Sequence, residues 1–298
     1  MTGFIDKPMK ASDYEEARLR FPYLASVKLD GYRAFSYQGK IRTSSGTPVL
    51  NKFTHDIFKG RDFEGLDGEL IVGAANDKNA FHNTSGPVRK AIGEPDVRWH
   101  IFDDRTHPDM PFHERLNNAR LRIAAMDDPR LVFVSHATVH SLGEMLEVEK
   151  CAVDAGFEGI MLRDPDGKYK YGRSSVIENL LLKVKRFISE EATIIALEEQ
   201  VENLTASVAD PLGRAKKSVS KDAQQGTGMV GAFVVKSDLW PDPFRISASS
   251  MSHKVRKHAW EHPGEYLAQL ARFKYFPHGV VDAPRHGVFE ALRGKEDL

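Results

Sequence analysis

One short segment near the N-terminus combines side chains that are well suited to chemistry. Lys28-Leu-Asp30-Gly31-Tyr-Arg33 lies between two apolar stretches that predict strands. A lysine amine that loses its proton is a nucleophile, and a neighbouring carboxylate and guanidinium can bind metal or phosphate. The same residues are compatible with a charged β-hairpin turn, because Asp-Gly is a common hairpin signal. The segment therefore predicts either a reactive lysine or an exposed turn.

Five later segments carry acidic, aromatic or basic side chains in strand-like surroundings. In chain order they are Ile41–Leu50, Leu66-Asp-Gly-Glu69-Leu70, His100-Ile-Phe102-Asp103, Glu158-Gly-Ile-Met-Leu-Arg163 and Leu182-Lys183-Val-Lys185. Lys183 and Lys185 alternate along a predicted strand, so both point to one face. Taken alone, the lysine pair is equally compatible with a solvated strand, and Glu69 with a solvated acid at a strand entry.

Together these segments resemble the ordered motifs of the covalent nucleotidyltransferases, the superfamily of DNA ligases, RNA ligases and mRNA-capping enzymes. Lys28–Arg33 is similar to motif I, KxDGxR, and the later segments resemble motifs Ia, III, IIIa, IV and V in that order. Pro284–Lys295 resembles motif VI, although Gly287 stands where that motif usually carries proline. The resemblance extends over nearly the whole chain.

The resemblance implies a role for each group around the nucleotide. Lys28 is expected to attack the α-phosphate of ATP and to carry AMP, while Glu69 binds the ribose hydroxyls. Phe102 is expected to stack on adenine, although a core phenylalanine at a strand end would look the same. The cations expected near the nucleotide are Arg33, Lys183, Lys185 and Arg293, and the lysines would offset charge that develops during transfer.

The resemblance also implies sites for a metal and for DNA. Glu158 is expected to bind Mg²⁺ (or Mn²⁺), with Asp30 as a second partner, because magnesium favours sparse carboxylate sites that retain water. Arg33 and Arg42 are expected to contact the nick phosphates, since a planar guanidinium binds two oxygens.

Within the superfamily, the pattern favours an ATP-dependent DNA ligase of the minimal phage type. Arg33 occupies the sixth position of motif I, where RNA ligases often carry asparagine. The expected function is the sealing of nicks in duplex DNA through lysyl-AMP and DNA-adenylate intermediates. An RNA ligase, an mRNA-capping-type guanylyltransferase and a catalytically silent nucleic-acid-binding protein remain alternatives.

The order of predicted elements indicates an α+β protein with two domains. Residues 1–188 predict a nucleotidyltransferase (adenylation) domain of antiparallel sheets with helices, and residues 189–298 predict a strand-rich domain that the resemblance identifies as an OB-fold β-barrel. Helices are predicted at Ser12–Arg20, Pro111–Met126, Ser141–Ala155 and Ser252–Glu261. Gly226–Gly231 matches GxGxxG, but a strand follows it, so it predicts no dinucleotide site.

Charge is balanced overall but not locally. The 298 residues include 42 basic and 42 acidic ones, which is unusual for a protein that binds DNA. Nine basic residues nevertheless lie between Arg214 and Lys257. The polar segment Ala209–Gly228 predicts a mobile loop, either solvated or in contact with DNA, and its candidate DNA ligands are Arg214, Lys216, Lys217 and Lys221.

The cysteine, the histidines and the apolar stretches of the sequence indicate which bonds, metal sites and location to expect. The single cysteine, Cys151, excludes an intramolecular disulfide and a thiolate-rich zinc site, and it is expected to be buried and inert. The twelve histidines show no paired metal-ligand spacing, and no role is predicted for any of them. No signal peptide and no apolar stretch of about 20 residues is present, so a cytoplasmic monomer with nicked duplex DNA as partner is expected.

Overall fold

The computed structural model describes residues 7–203, 208–209, 215–216, 224–277, 280 and 282–293. The chain divides into two units, Met1–Lys185 and Arg186–Leu298. Among the described residues, no helix combines the length and the apolar composition that crossing a membrane requires.

The first unit is built mainly of strands. Its strands are β1 (Met9–Lys10), β2 (Ser12–Asp13), β3 (Tyr23–Val27), β4 (Tyr32–Tyr37), β5 (Lys40–Thr43), β6 (Leu66–Val72), β7 (Val97–Asp104), β8 (Leu131–Phe133), β9 (Ala137–Val139), β10 (Ile160–Arg163), β11 (Gly172–Arg173) and β12 (Leu181–Val184). Its helices are α1 (Lys52–Ile57), α2 (Ala80–Val88), α3 (Phe112–Met126) and α4 (Leu142–Asp154), with single 3₁₀ turns at Glu16–Arg18 and Arg61–Phe63.

Two five-stranded sheets dominate this unit. The first sheet has the order β2–β12–β10–β3–β9, and the second has the order β5–β4–β6–β7–β8. Both sheets are mixed rather than purely antiparallel as predicted, because β2 pairs in parallel with β12 and β7 in parallel with β8. The chain crosses from one sheet to the other twice, between β3 and β4 and between β8 and β9.

Each sheet has its own core and its own helix. In the first sheet, apolar residues of β3, β10 and β12 pack with Met145 and Ala152 of α4. In the second sheet, Trp99 and Ile101 of β7 pack with Ala119 and Ile123 of α3. The buried positions of α3 recur every three or four residues, which is the pattern that predicts an amphipathic helix.

Two predictions for this unit are wrong. Ser12–Arg20 is not a helix, because Ser12 and Asp13 pair with β12 and only Glu16–Arg18 forms a helical turn. Tertiary strand pairing therefore overrides the local preference of this segment. Cys151 is exposed rather than buried, because α4 turns Met145, Glu149 and Ala152 inward and Cys151 lies off that face.

The second unit consists mainly of one sheet that closes on itself. Its elements are β13 (Ile188–Asn203), β14 (Val208–Ala209), β15 (Ala215–Lys216), β16 (Gln224–Lys236), β17 (Phe244–Ser247), α5 (His253–Glu261), a 3₁₀ turn at Pro263–Glu265, β18 (Leu270–Phe276) and β19 (Arg285–Leu292). Five of the strands form a closed barrel in the order β13–β16–β17–β19–β18. Phe233, Ile246 and Phe273 lie in its apolar core.

The glycine-rich segment of this unit belongs to the barrel. Gly226–Gly231 lies within β16 and opens no helix, so the predicted strand at this segment is confirmed. The last residues of the predicted loop Ala209–Gly228 belong to β16, which begins at Gln224, and residues 210–214 and 217–223 of that segment lie outside the described residues. Val208–Ala209 pairs with Ala215–Lys216 as a two-stranded sheet.

Candidate active site

Lys28 lies at the first crossing between the two sheets. Its backbone amide donates a hydrogen bond to the carbonyl of Gly159 at 2.8 Å. Its amine forms an ion pair with the carboxylate of Glu158, and the two side chains are 19% and 6% exposed. The strand pairing of β3 with β10 thus brings motif I beside motif IV and places a basic amine against a nearly buried acid.

Two glycines allow this close packing. A side chain at Gly31 would collide with the carbonyl oxygen of Leu70, next to Glu69. A side chain at Gly159 would collide with the carbonyl of Val184, and Gly159 also has a φ of +145°, which L side chains rarely adopt. The glycines after Asp30 and Glu158 therefore let the backbones of neighbouring motifs approach each other.

A cavity of about 280 Å³ lies beside Lys28 in the first unit. Its wall from the second sheet includes Arg33, Glu69 and Phe102, and its wall from the first sheet includes Met161 and Lys183. An aromatic ring, an acid and several cations around one concave space are what a nucleotide requires, with a stacking surface for the base and positive charge for the phosphates.

Glu69, an acidic residue of the cavity wall, has an unusually high pKa for a glutamate. Burial raises its pKa to about 7, although Arg33 and Lys28 act in the opposite direction. Asp67 and Asp30 add to the increase, which shows that several acids share this region. Glu69 is therefore close to half-ionised at neutral pH.

Arg33 is held by an acid that the sequence did not single out. Its guanidinium forms two hydrogen bonds of 2.8 Å with the carboxylate of Asp67, which is fully buried. Tyr169 donates a third hydrogen bond to Asp67 at 2.6 Å. Burial would lower the pKa of Arg33, but Asp67 outweighs it and raises the pKa. The guanidinium lies over the ring of Phe102, 4.5 Å from its centroid, so Arg33 and Phe102 form one unit of the cavity wall.

A second buried ion cluster surrounds Asp103, and one of its members, Arg163, lines the cavity. Asp103, fully buried, accepts hydrogen bonds from Arg115 at 2.9 and 3.3 Å and from Arg163 at 2.5 Å. Burial would raise the pKa of Asp103, but Arg163 and Arg115 lower it, so the acid stays ionised. Asp103 follows Phe102 directly and Arg163 ends β10, so the cluster ties the second sheet to the first.

The two lysines of motif V have different surroundings. The amine of Lys183 lines the cavity and lies 3.3 Å from a carboxylate oxygen of Asp13. Burial lowers the pKa of Lys185, and the positive charges of Lys183 and Lys28 lower it further against the effect of Glu158. Both lysines therefore belong to the charged group around Lys28 and Glu158.

Other candidate residues lie elsewhere or outside the described residues. Arg42 lies on the edge strand β5, where its guanidinium donates to the carbonyls of Gly46 and Tyr37 at 2.9 and 3.3 Å. Arg293 forms an ion pair with Glu191 in the second unit. Lys216 lies in β15, with only its backbone described, and the candidates outside the described residues are Arg214, Lys217 and Lys221.

The arrangement of possible metal-ligating side chains indicates what kind of metal site the structure could form. No group of three or more His, Cys, Asp or Glu side chains that could hold a metal ion occurs among the residues that the structure describes. Magnesium needs no such group, because it is usually bound by one or two carboxylates, by substrate phosphates and by water. Glu158, which forms an ion pair with Lys28, and Asp30, two residues after Lys28 in the chain, fit that kind of site.

The fold and the side chains around the cavity agree with the resemblance of the sequence to covalent nucleotidyltransferases. Among solved structures, the chain is similar to the Chlorella virus DNA ligase-adenylate, with 26% identity, coverage of 96% of this chain and 99% of that chain, and a TM-score of 0.55. No protein-family model matches the chain, and no curated protein is significantly similar to it.

Two further structures support the fold. A Lig E DNA ligase is 22% identical, with coverage of 97% of this chain and 100% of that chain and a TM-score of 0.70. The ATP-dependent DNA ligase of bacteriophage T7, in complex with ATP, is 14% identical, with coverage of 98% and 100% and a TM-score of 0.50. The chain thus has the fold of the ATP-dependent DNA ligases, and the predicted relationship to the minimal members of that group is confirmed.

Proposed function

We propose that this chain is an ATP-dependent DNA ligase that seals nicks in duplex DNA. The observation that carries the proposal is the pairing of Lys28 with Glu158 beside a cavity lined by Glu69, Phe102 and Lys183. The similarity to DNA ligases over nearly the whole chain supports the same function. In this proposal residues 1–188 form the nucleotidyltransferase domain, and residues 189–298 form an OB-fold domain, which the closed five-stranded barrel supports.

The first step joins AMP to Lys28. The ammonium first loses a proton to solvent, and the neutral amine then uses its lone pair to form a bond to the α-phosphorus of ATP, releasing a second proton to solvent as the bond forms. The bond from that phosphorus to the bridging oxygen breaks, and pyrophosphate leaves with the electron pair. Glu158 must release the amine of Lys28 before this attack, because the two side chains form an ion pair in this structure.

The next two steps transfer AMP and close the nick. The 5′-phosphate of the nick attacks the phosphorus of lysyl-AMP, so the nitrogen–phosphorus bond breaks and DNA-adenylate forms. The 3′-hydroxyl then attacks the 5′-phosphate, and AMP leaves as the phosphodiester bond forms. Each step depends on position and charge, which Lys183 and Lys185 supply beside Lys28.

The remaining roles follow the geometry of the cavity. Glu69 accepts hydrogen bonds from the ribose hydroxyls, and Phe102 stacks on the base. Glu158 and Asp30 hold Mg²⁺ (or Mn²⁺), which when bound supplies positive charge beside the phosphates. Arg33 is fixed by Asp67, so it supports Phe102 in the cavity wall. We also propose that Arg33 and Arg42 contact the nick phosphates.

Labelling of the protein by nucleotide tests this function. Incubation with ATP labelled at the α-phosphate and magnesium should leave label on the wild type in a denaturing gel, whereas GTP should not. Lys28→Ala should abolish the label, and Lys28→Arg should also fail because a guanidinium stays protonated. Lys168→Ala, an exposed lysine of the same unit, is the matched control and should label normally. Label on Lys28→Ala, or label from GTP alone, would contradict the proposal.

A further inference from the structure

One histidine, His136, lies in the wall of the nucleotide cavity. It belongs to the second crossing between the sheets, after β8 and directly before β9. Lys28 lies at the first crossing, so the two crossings contribute side chains to the same concave space. None of the motifs that resemble those of nucleotidyltransferases includes His136, and the mechanism proposed above does not use it.

Strand register places His136 at the end of the cavity that would hold the base. Ala137 pairs with Ala25, so His136 is next to Ser26 of β3. On the other side, the amide of Val134 donates to the carbonyl of Ile101 at 2.9 Å, directly before Phe102. His136 therefore lies between Ser26 and the strand that carries Phe102, and all three residues line the cavity.

One hydrogen bond determines which imidazole nitrogen of His136 carries the hydrogen. Nδ1 of His136 lies 2.9 Å from the carbonyl oxygen of Val134. A carbonyl only accepts, so Nδ1 carries the hydrogen and, in the neutral ring, Nε2 carries the lone pair. The ring also packs edge-on against Phe112, with centroids 5.4 Å apart, which limits its rotation.

The ring is neutral under ordinary conditions. Burial lowers the pKa of His136 to about 4; the hydrogen bond to Val134 raises it, Arg163 lowers it and Asp103 raises it. At neutral pH His136 is therefore a hydrogen-bond acceptor through Nε2 and not a cation.

We propose that His136 is a specificity-determining residue that accepts a hydrogen bond from the 6-amino group of adenine. The inference rests on the proposed function and adds the residue that recognises the base. Adenine carries an amino donor at position 6, whereas guanine carries a carbonyl acceptor there. With guanine, two acceptors would face each other without a hydrogen, and neither would be satisfied. His136 would thus select ATP against GTP, while Phe102 stacks on either base.

Nucleotide analogues test this inference on the full chain. Purine riboside triphosphate lacks both the amino group and the oxygen at position 6, so the ratio of its lysyl-nucleotide formation to that of ATP isolates the donor. One hydrogen bond of ordinary strength should make the wild type favour ATP by about 2-fold to 12-fold. His136→Ala should bring this ratio to about one and reduce the preference for ATP over GTP. His82→Ala, at an exposed histidine outside the cavity, should keep the wild-type ratios.

The outcomes separate this inference from the ligase function. A wild type labelled equally by ATP and purine riboside triphosphate would overturn the inference and leave the ligase function intact. An unchanged ATP preference in a folded His136→Ala variant, or an equal loss with all three nucleotides, would also overturn it. His136→Gln, which keeps an acceptor but adds a donor, should retain ATP labelling and admit GTP. Absence of label from every nucleotide in the wild type would instead contradict the ligase function itself.

Discussion

The two units of the chain bury charge in opposite ways. In the first unit, Asp67, Asp103, Arg115 and Arg163 are almost inaccessible to solvent and form ion pairs beside the cavity. In the second unit, Arg256 is the one charged residue that is buried among the described residues, and the barrel core is apolar.

The difference follows from what each interior must do. An apolar core tolerates the exchange of its side chains for others of similar volume, whereas a buried ion pair requires defined geometry. Arg33 is fixed by Asp67 and itself covers Phe102, and Asp103 fixes Arg163 beside the same cavity. We infer that the first unit uses buried charge to position the cavity wall, and that the barrel of the second unit is a scaffold.

The largest expected effect comes from breaking a buried pair. Asp103→Ala would leave Arg115 and Arg163 buried without their acid, and it should lower the free energy of unfolding by about 3–5 kcal/mol. Arg245→Ala is the matched variant in the second unit, where Arg245 and Glu198 are 66% and 38% exposed. It should cost at most about 1 kcal/mol. Urea unfolding measures both, and similar small values for the two variants would refute the contrast.

A second experiment tests whether DNA binding depends on the second unit while lysyl-AMP formation depends on the first. Four basic residues of the second unit are predicted to contact DNA phosphates. The exchange of all four for alanine should therefore weaken binding to a nicked duplex. Each lost contact should flatten the slope of log affinity against log salt by up to about 0.9. Lysyl-AMP formation should stay normal, because Lys28 and its cavity belong to the first unit. The four positions are Arg214, Lys216, Lys217 and Lys221.

Fluorescence anisotropy with a labelled nicked duplex at several salt concentrations provides the measurement. An exchange of Lys150 and Lys168, exposed lysines of the first unit, is the control for general loss of positive charge. An unchanged affinity and salt slope in the fourfold variant would support a solvated loop instead.

The smallest expected effect concerns the ionisation of Glu69. Its pKa of about 7 means that the carboxylate gains a proton as the pH falls from 8 to 6. A carboxylate accepts a hydrogen bond from a ribose hydroxyl more strongly than the neutral acid does, by roughly 1 kcal/mol. Adenosine, which carries no phosphate, should therefore bind about three- to fourfold more weakly at pH 6 than at pH 8, since about a tenth of Glu69 remains in the minor form at each pH.

Calorimetry with adenosine at both pH values tests this effect. Glu69→Gln should bind weakly at both, because an amide does not titrate in this range. If Glu69→Gln kept the pH dependence of the wild type, another group would be responsible for it.

Several residues of the candidate cavity could be singled out from the sequence because the motifs are local. Lys28, Glu69, Phe102 and Lys183 each lie in a short segment with a recognisable pattern, and the structure brings all four to one cavity. Their proximity depends on the fold of the superfamily, and the ordered motifs implied that fold.

The partners of those residues could not be predicted in the same way. Tyr169 reaches Asp67 across the fold, and His136 reaches the cavity through a crossing between two sheets. Such contacts depend on strand register and on the path of the chain, which local patterns do not specify.

Two helices of the first unit, α1 and α2, were not predicted from the sequence. The short helix α1 was missed, although Asn51 caps it by accepting a hydrogen bond from the amide of Thr54 at 2.8 Å. The helix α2 was also missed, since Gly86 and Pro87 near its end are usually helix breakers.

The interleaving of the two sheets along the chain bears on the order of folding. All strands of the second sheet lie in one continuous stretch, Tyr32 to Phe133, whereas those of the first sheet come from both sides of it. Contacts within a continuous stretch form faster than contacts that must first close a long loop. The second sheet is therefore expected to assemble early and the first sheet to close around it later. Since Lys28 meets Glu158 only across the first sheet, the proposed nucleophile is expected to gain its acidic partner in the last stage of folding.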